Sequence, residues 1–370
     1  MVVADLQVWA LTHGAQLRAA LVDGRFRRNW RAWSALAQGA VPADHPVAAM
    51  VGLDNMLTAD GADHRRLRGL ISQAFTPGRI GALRPAICGR AEKLVEELAL
   101  AAGPVDVKAA FAYPLSQQVF GDLFGIGETD HGRIRAMVDT AFSTAPPDEV
   151  RAMRAEVDAY LDEVIAAKQD MPGSDVVSAL IGAREGGERL STRELRDTLW
   201  LLLTAGYETT ASALANGIET LLGSPEQLAR LCAGEAAWLA AVEEILRAAT
   251  SVATLPFLFA SEDVTVAGHT IAAGEAVLLC YLAANRDPAR YGEAQALDLG
   301  AMRPRHLGLG HGPHVCLGAA LARAELEIGL STLFARFPRA RRVEPAPPRL
   351  GSVFINSPAA LPVHLEPAAA

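Results

Sequence analysis

The stretch Leu309-Gly310-His311-Gly312-Pro313-His314-Val315-Cys316-Leu317-Gly318, followed directly by the apolar helical run Ala319 to Phe334, constrains this chain more than any other. A thiol that opens a helix faces unpaired backbone N–H groups and the positive end of the helix dipole, and both favour its thiolate. Such a sulfur is suited to hold a metal. Gly310 and Gly312 permit the positive φ angles of a tight loop, and Gly318 omits a side chain where a flat ligand would press on the first helical turn. The loop reads as shaped around something large and planar. A single cysteine is also a common small buried hydrophobe, so Cys316 taken alone supports either reading.

A chain of 370 residues, 51% of them hydrophobic, has enough apolar side chains for a large core. The length would suit two domains, but no linker-like or charge-rich block divides the sequence. One domain over residues 1–370 is expected. The start lacks a basic segment followed by a long apolar run, and no stretch approaches the roughly 20 apolar residues that span a bilayer. A cytoplasmic protein without a membrane segment is therefore expected. Cys88, Cys232, Cys280 and Cys316 lie far apart, which argues against a zinc site or a disulfide framework. The net charge of −8 argues against nucleic acid as a partner.

Three further stretches carry chemistry-bearing residues. In Asp63-His64-Arg65-Arg66-Leu67-Arg68, His64 and Arg68 share one helical face, as a solvated basic face or as paired ligands for an anion. Ala205-Gly206-Tyr207-Glu208-Thr209-Thr210 sits at the centre of a long apolar helix read over Arg193 to Leu222. Thr209 lies one turn after Ala205, so its hydroxyl either bonds the carbonyl four residues back or serves a ligand. Gly206 lets a bound molecule approach the backbone or lets the helix loosen. Glu244 and Arg247, in the helix Ala236 to Thr250, are spaced for an ion pair.

The Gly-x-Gly-x-His-x-Cys-x-Gly pattern resembles the ligand loop of the cytochrome P450 family, with Leu309 where the family has Phe. The other stretches follow the family's order. The resemblance implies a mainly α fold with small β-sheets (α+β), and haem b (iron protoporphyrin IX) between the Glu-Thr helix and the helix after the cysteine loop. It implies Cys316 as the metal's axial thiolate, with His64, Arg68 and His314 holding the propionates and Gly310 and Gly318 shaping the cradle. Glu208 and Thr209, flanked by Ala205 and Gly206, are implied as the pair that delivers protons to dioxygen. The activity implied is monooxygenation of a hydrophobic small molecule in secondary metabolism by a monomer, using O2 and electrons from a separate ferredoxin-type donor. Arg65, Arg66 and Arg323 are the candidate docking face for that donor. Oxidative aryl coupling without oxygen insertion, and non-catalytic haem binding or sensing, are the alternatives.

The chain also departs from the family. Leu258 stands where an arginine for a propionate is usual, and Ala301 where the third member of the Glu/Arg cluster is usual. Arg303 is expected to move in and pair with Glu244. Elsewhere the periodicity predicts a strand at Val8 to Thr12, a loop over Val41 to Leu57, and helices over Ala86 to Leu100, Leu115 to Phe124, Asp148 to Lys168 and Asp175 to Arg184. Strands and turns are predicted from Ser251 to Ala284. Small or apolar residues at Val47 to Val51, Ala205, Ser251 to Phe257 and Phe354 are the candidate pocket walls.

Overall fold

The computed structural model describes residues 1–3, 5–42, 45–142, 146–184, 186–292, 297–300 and 303–366. Among these, the long helices are α1 (Gly61–Ser72), α2 (Pro77–Ala99), α3 (Tyr113–Phe124), α4 (His131–Phe142), α5 (Pro147–Asp170), α6 (Thr192–Leu222), α7 (Trp238–Ala248) and α8 (Ala319–Arg336). The main sheet holds β1 (Trp9–Leu11), β2 (Phe26–Arg27), β3 (Leu255–Ala260) and β4 (Ala276–Leu279) in the order β1-β4-β3-β2.

Local signals set most boundaries. Ser191 accepts the Glu194 N–H while Glu194 reaches back to the Ser191 N–H, a reciprocal cap that starts α6 one residue before the expected position. Gly125, at φ +64°, ends α3. Helix α2 begins at Pro77 behind a Thr76 cap, earlier than predicted, and runs through Pro85. Its buried face of Ile80, Ile87, Ala91, Leu94, Val95 and Leu98 is continuous across that proline. Some helices were not anticipated, Pro225–Cys232 among them. Pro46–Val51 forms a short helix inside the expected loop, with His45 accepting the Val47 N–H, and α4 lies where no helix was read.

Helix α8 is apolar on nearly all sides because it is surrounded, packing against α2, α6 and α7. The ion-pair cluster behind it fixes the rest. Arg247 is 1% exposed and meets both oxygens of Glu244, at 2.7 Å through Nε and 2.6 Å through Nη2. Arg303 Nε lies 3.0 Å from Glu244 Oε1, as expected from its place in the sequence; Ala301 lies outside the described residues. Arg247 Nη1 donates to the carbonyl of Asn285, and the Asn285 side chain binds Thr250 Oγ1 and the Leu307 N–H. The Asn-Arg-Asp-Pro stretch is therefore a buried fastener as well as a turn. It links α7 to the strand of chain that enters the cysteine loop.

Removing one member of a buried charge pair strands the other. Arg247→Ala is expected to lower stability by about 3–5 kcal/mol, read as a shift in urea midpoint. Arg303→Ala is expected to cost less, since Glu244 keeps Arg247, but it must still reduce stability; an unchanged midpoint would count against the pairing.

Candidate active site

Backbone hydrogen bonds set the turns of the cysteine loop. Gly310 and Gly312 take φ of +76° and +71°, and the Cys316 N–H donates to the Leu309 carbonyl at 2.8 Å. A Cβ at Gly312 would fall 2.7 Å from Val22 Cγ1 and 2.9 Å from the Leu21 carbonyl, so glycine is needed for space as well as for conformation. Beyond Gly318 nothing lies nearer than Cys316 Sγ at 4.0 Å, which leaves the flat clearance expected beside the sulfur. Helix α8 starts at Ala319.

Cys316 counts as exposed by surface area, yet it is deeply set within the protein. The two agree once the cavity is seen, because the thiol opens into an internal space of about 420 Å³. Burial pushes the thiol upward, while the Gly318 N–H and the charges of Arg68 and Arg323 pull it down. The preference for thiolate read from the helix start is thus present but outweighed by desolvation; a metal is needed to complete it.

One rim of that cavity is cationic. Arg28, Arg68 and His314 line it, and His64 packs ring against ring with His314 at 4.1 Å. Arg68 Nη2 donates to the Val315 carbonyl at 2.8 Å and so braces the cysteine loop. Burial, reinforced by neighbouring arginines, lowers both imidazoles, His314 to about 2. His64 Nε2 is buried without a hydrogen-bond partner. Neutral imidazoles and guanidiniums gathered beside an open thiol suit a planar cofactor that carries acid groups on one edge.

Helix α6 forms the opposite wall. Ala205, Gly206, Thr209 and Thr210 line the cavity, together with apolar residues such as Met50, Val51 and Leu255. Thr209 Oγ1 donates to the Ala205 carbonyl at 2.5 Å, the bond to the carbonyl four residues back. Gly206 lines the cavity and also makes room for a neighbouring ring. A Cβ there would fall 1.9 Å from Phe120 Cε2, so the glycine admits the Phe120 ring, and α6 runs through it without interruption. Glu208 does not line the cavity. It lies 4% exposed, and accepts from Tyr113 Oη at 2.9 and 3.0 Å and from Ser212 Oγ at 2.9 Å.

Comparison with known proteins decides the family. The family model for cytochrome P450 matches residues 140–233 and 239–361. The chain is 37% identical to 2-hydroxy-5-methyl-1-naphthoate 7-hydroxylase from Streptomyces carzinostaticus, covering 98% of this chain and 90% of that one. It is 38% identical to nocardicin C N-oxygenase from Nocardia uniformis subsp. tsuyamanensis, covering 96% and 89%. The solved structure of CYP154A1 from Streptomyces coelicolor A3(2) matches with a TM-score of 0.92 at 40% identity, covering 99% of this chain and 93% of that one. The chain belongs to the cytochrome P450 family. It is a haem-dependent monooxygenase of the bacterial type, and the thiol, the cationic rim and the cavity fit that cofactor. No helix among the described residues is long and apolar enough to cross a membrane.

Several expectations change. Arg66 is paired with Glu194 and Glu188, and Arg323 with Glu243, so the basic face expected of Arg65, Arg66 and Arg323 is largely neutralised. Val47 and Ala48 belong to the core beside the sheet, while Met50, Val51, Phe354 and Ile355 do reach the cavity. Sequence reasoning missed Arg28, Tyr113 and Phe120, whose roles depend on contacts distant in the chain. It also left Glu325 of α8 without a role. Glu325 is 2% exposed, with one oxygen unpartnered, and burial pushes its carboxyl up to about 8.

Glu325 titrates near 4.5 in the unfolded chain and near 8 in the native one, so unfolding releases its proton across that range. Stability should fall as pH rises through the window, at up to about 1.4 kcal/mol per pH unit. Glu325→Gln is expected to remove that slope, measured by urea midpoints from pH 5 to pH 8. Gly206→Ala is expected to cost about 1–3 kcal/mol by overpacking against Phe120, and Phe120→Leu in the same chain should recover part of it in thermal unfolding.

Proposed function

We propose that this enzyme inserts one oxygen atom from O2 into a hydrophobic small molecule of secondary metabolism, in the cytoplasm, using electrons from a separate ferredoxin-type donor. One observation carries the reading: a single cavity is walled by the Cys316 thiol on one side and by Ala205, Gly206, Thr209 and Thr210 of α6 on the other, with apolar side chains between. The related hydroxylase and N-oxygenase support oxygen insertion into a natural product.

When bound, the haem supplies reductive activation of O2 and delivery of one oxygen atom to the substrate. Cys316 would ligate its iron, while His64, Arg68 and His314 would hold its carboxylates. Thr209 presents a hydroxyl to the cavity, bonded through its own hydrogen to Ala205, so its lone pairs are free to accept from a ligand. Glu208 is the acid of this motif. Burial raises its carboxyl above the ordinary value despite hydrogen bonds from Ser212 and Tyr113 and the nearby charge of Lys108. It stands one residue from Thr209 yet on the far face of α6, so its proton reaches the cavity only through a rearrangement at Thr209 or a water. The apolar walls exclude bulk water and select an apolar substrate.

The test is spectral and then chemical. The reduced protein under carbon monoxide is expected to give the Soret band of a thiolate-ligated haem, and Cys316→Ser is expected to abolish it. A compound library screened for substrate-induced spin shifts, followed by turnover with a surrogate ferredoxin system, should yield products heavier by one oxygen. Thr209→Ala is expected to cut product per electron about tenfold or more while hydrogen peroxide accumulates. A thiolate spectrum without oxygenated product for any spin-shifting compound would sink the monooxygenase assignment.

A further inference from the structure

Arg28 is 4% exposed, lines the cavity, and has Nε and Nη1 buried without hydrogen-bond partners. No described carboxylate forms an ion pair with it. Asp60 is engaged by backbone instead: its carboxylate accepts the N–H of Arg28 at 2.9 and 3.1 Å and that of Asn29 at 2.9 Å. Asp60 directly precedes α1, the helix that carries His64 and Arg68. The end of β2 and the start of α1 are thereby pinned together, and three cationic or ionisable side chains are aimed at one rim. A buried guanidinium without a counter-charge is costly, so the missing anion must come from outside the polypeptide.

The sheet register gives a reason for its position. β2 pairs with β3 through Phe26 opposite Ala260 and Arg27 opposite Phe259. One step further sets Arg28 across from Leu258, the position that lacks the expected arginine. Leu258 itself is buried in the core and does not line the cavity.

We propose that Arg28 binds a carboxylate of the haem, supplied from the end of β2 in place of a cation at Leu258. This rests on the reading that the cavity holds haem. No bond is made or broken; the guanidinium contributes a charge-assisted contact that lysine reproduces only in part.

The experiment follows haem transfer from the purified holoenzyme to excess apomyoglobin for the wild type, Arg28→Gln and Arg28→Lys. Each protein is loaded with iron protoporphyrin IX or with its dimethyl ester, which lacks the acid groups. With the free acid, Arg28→Gln is expected to lose haem about tenfold to a hundredfold faster than wild type, and Arg28→Lys a few-fold faster. With the ester both ratios should fall to about one. If Arg28→Gln gives no holoenzyme, the Arg28→Lys ratios decide by the same comparison. Equal loss from variant and wild type with the free acid overturns the inference, and so does an equal ratio with the ester, which would mark Arg28 as a packing residue. A wild type that takes up no haem would sink the underlying reading as well, so the two failures are distinguishable.

Discussion

The buried guanidinium of Arg247 is the interaction on which the geometry of the site depends. It closes on Glu244 within its own helix and on the carbonyl of Asn285 outside it. Asn285 then holds the N–H of Leu307, whose own carbonyl receives the N–H of Gly310. The cysteine is thus connected to α7 by an unbroken series of short polar contacts, made where water cannot compete. Glu243 adds a parallel tie, bridging His306 before the loop and Arg323 after it; those partners hold its carboxyl down at about 2. A loop of glycines would otherwise be the most mobile part of the chain.

The rim near the loop gathers Arg28, Arg68 and His314, with His64 packed on His314; the remaining walls are mostly apolar, with Arg154 and Glu325 as their ionisable side chains. The acid of the α6 motif is kept out of that space altogether, bonded to Tyr113 and Ser212 behind the helix. A cofactor with an acidic edge is oriented by such an arrangement without any need for shape alone to do it.

Much of this was legible in the residues. Helix α6 was placed to within one residue, because its long apolar run is a local signal; the Ser191 cap sets the one-residue difference at its start. The cysteine loop was legible for the same reason, since glycine, histidine and cysteine constrain the backbone where they stand. The contact of Gly206 with the ring of Phe120 was not legible, because that ring belongs to another helix. Arg28 stood in a basic turn like many others, and only strand register and burial separate it from a solvated charge. The proline within α2 hid the helix start, since a break is the commoner meaning of that residue. The pairing of Arg303 was read correctly because an absent partner leaves a buried carboxylate short of charge.

The placement of Glu208 has one more consequence. Since the carboxylate and its hydrogen-bonding neighbours occupy the far flank of α6, a bulky guest filling the chamber would displace none of them. The buried carboxyl and a guest need not compete for room, so the chamber's walls can diverge to suit new guests while the cluster of Tyr113, Glu208 and Ser212 behind them stays the same.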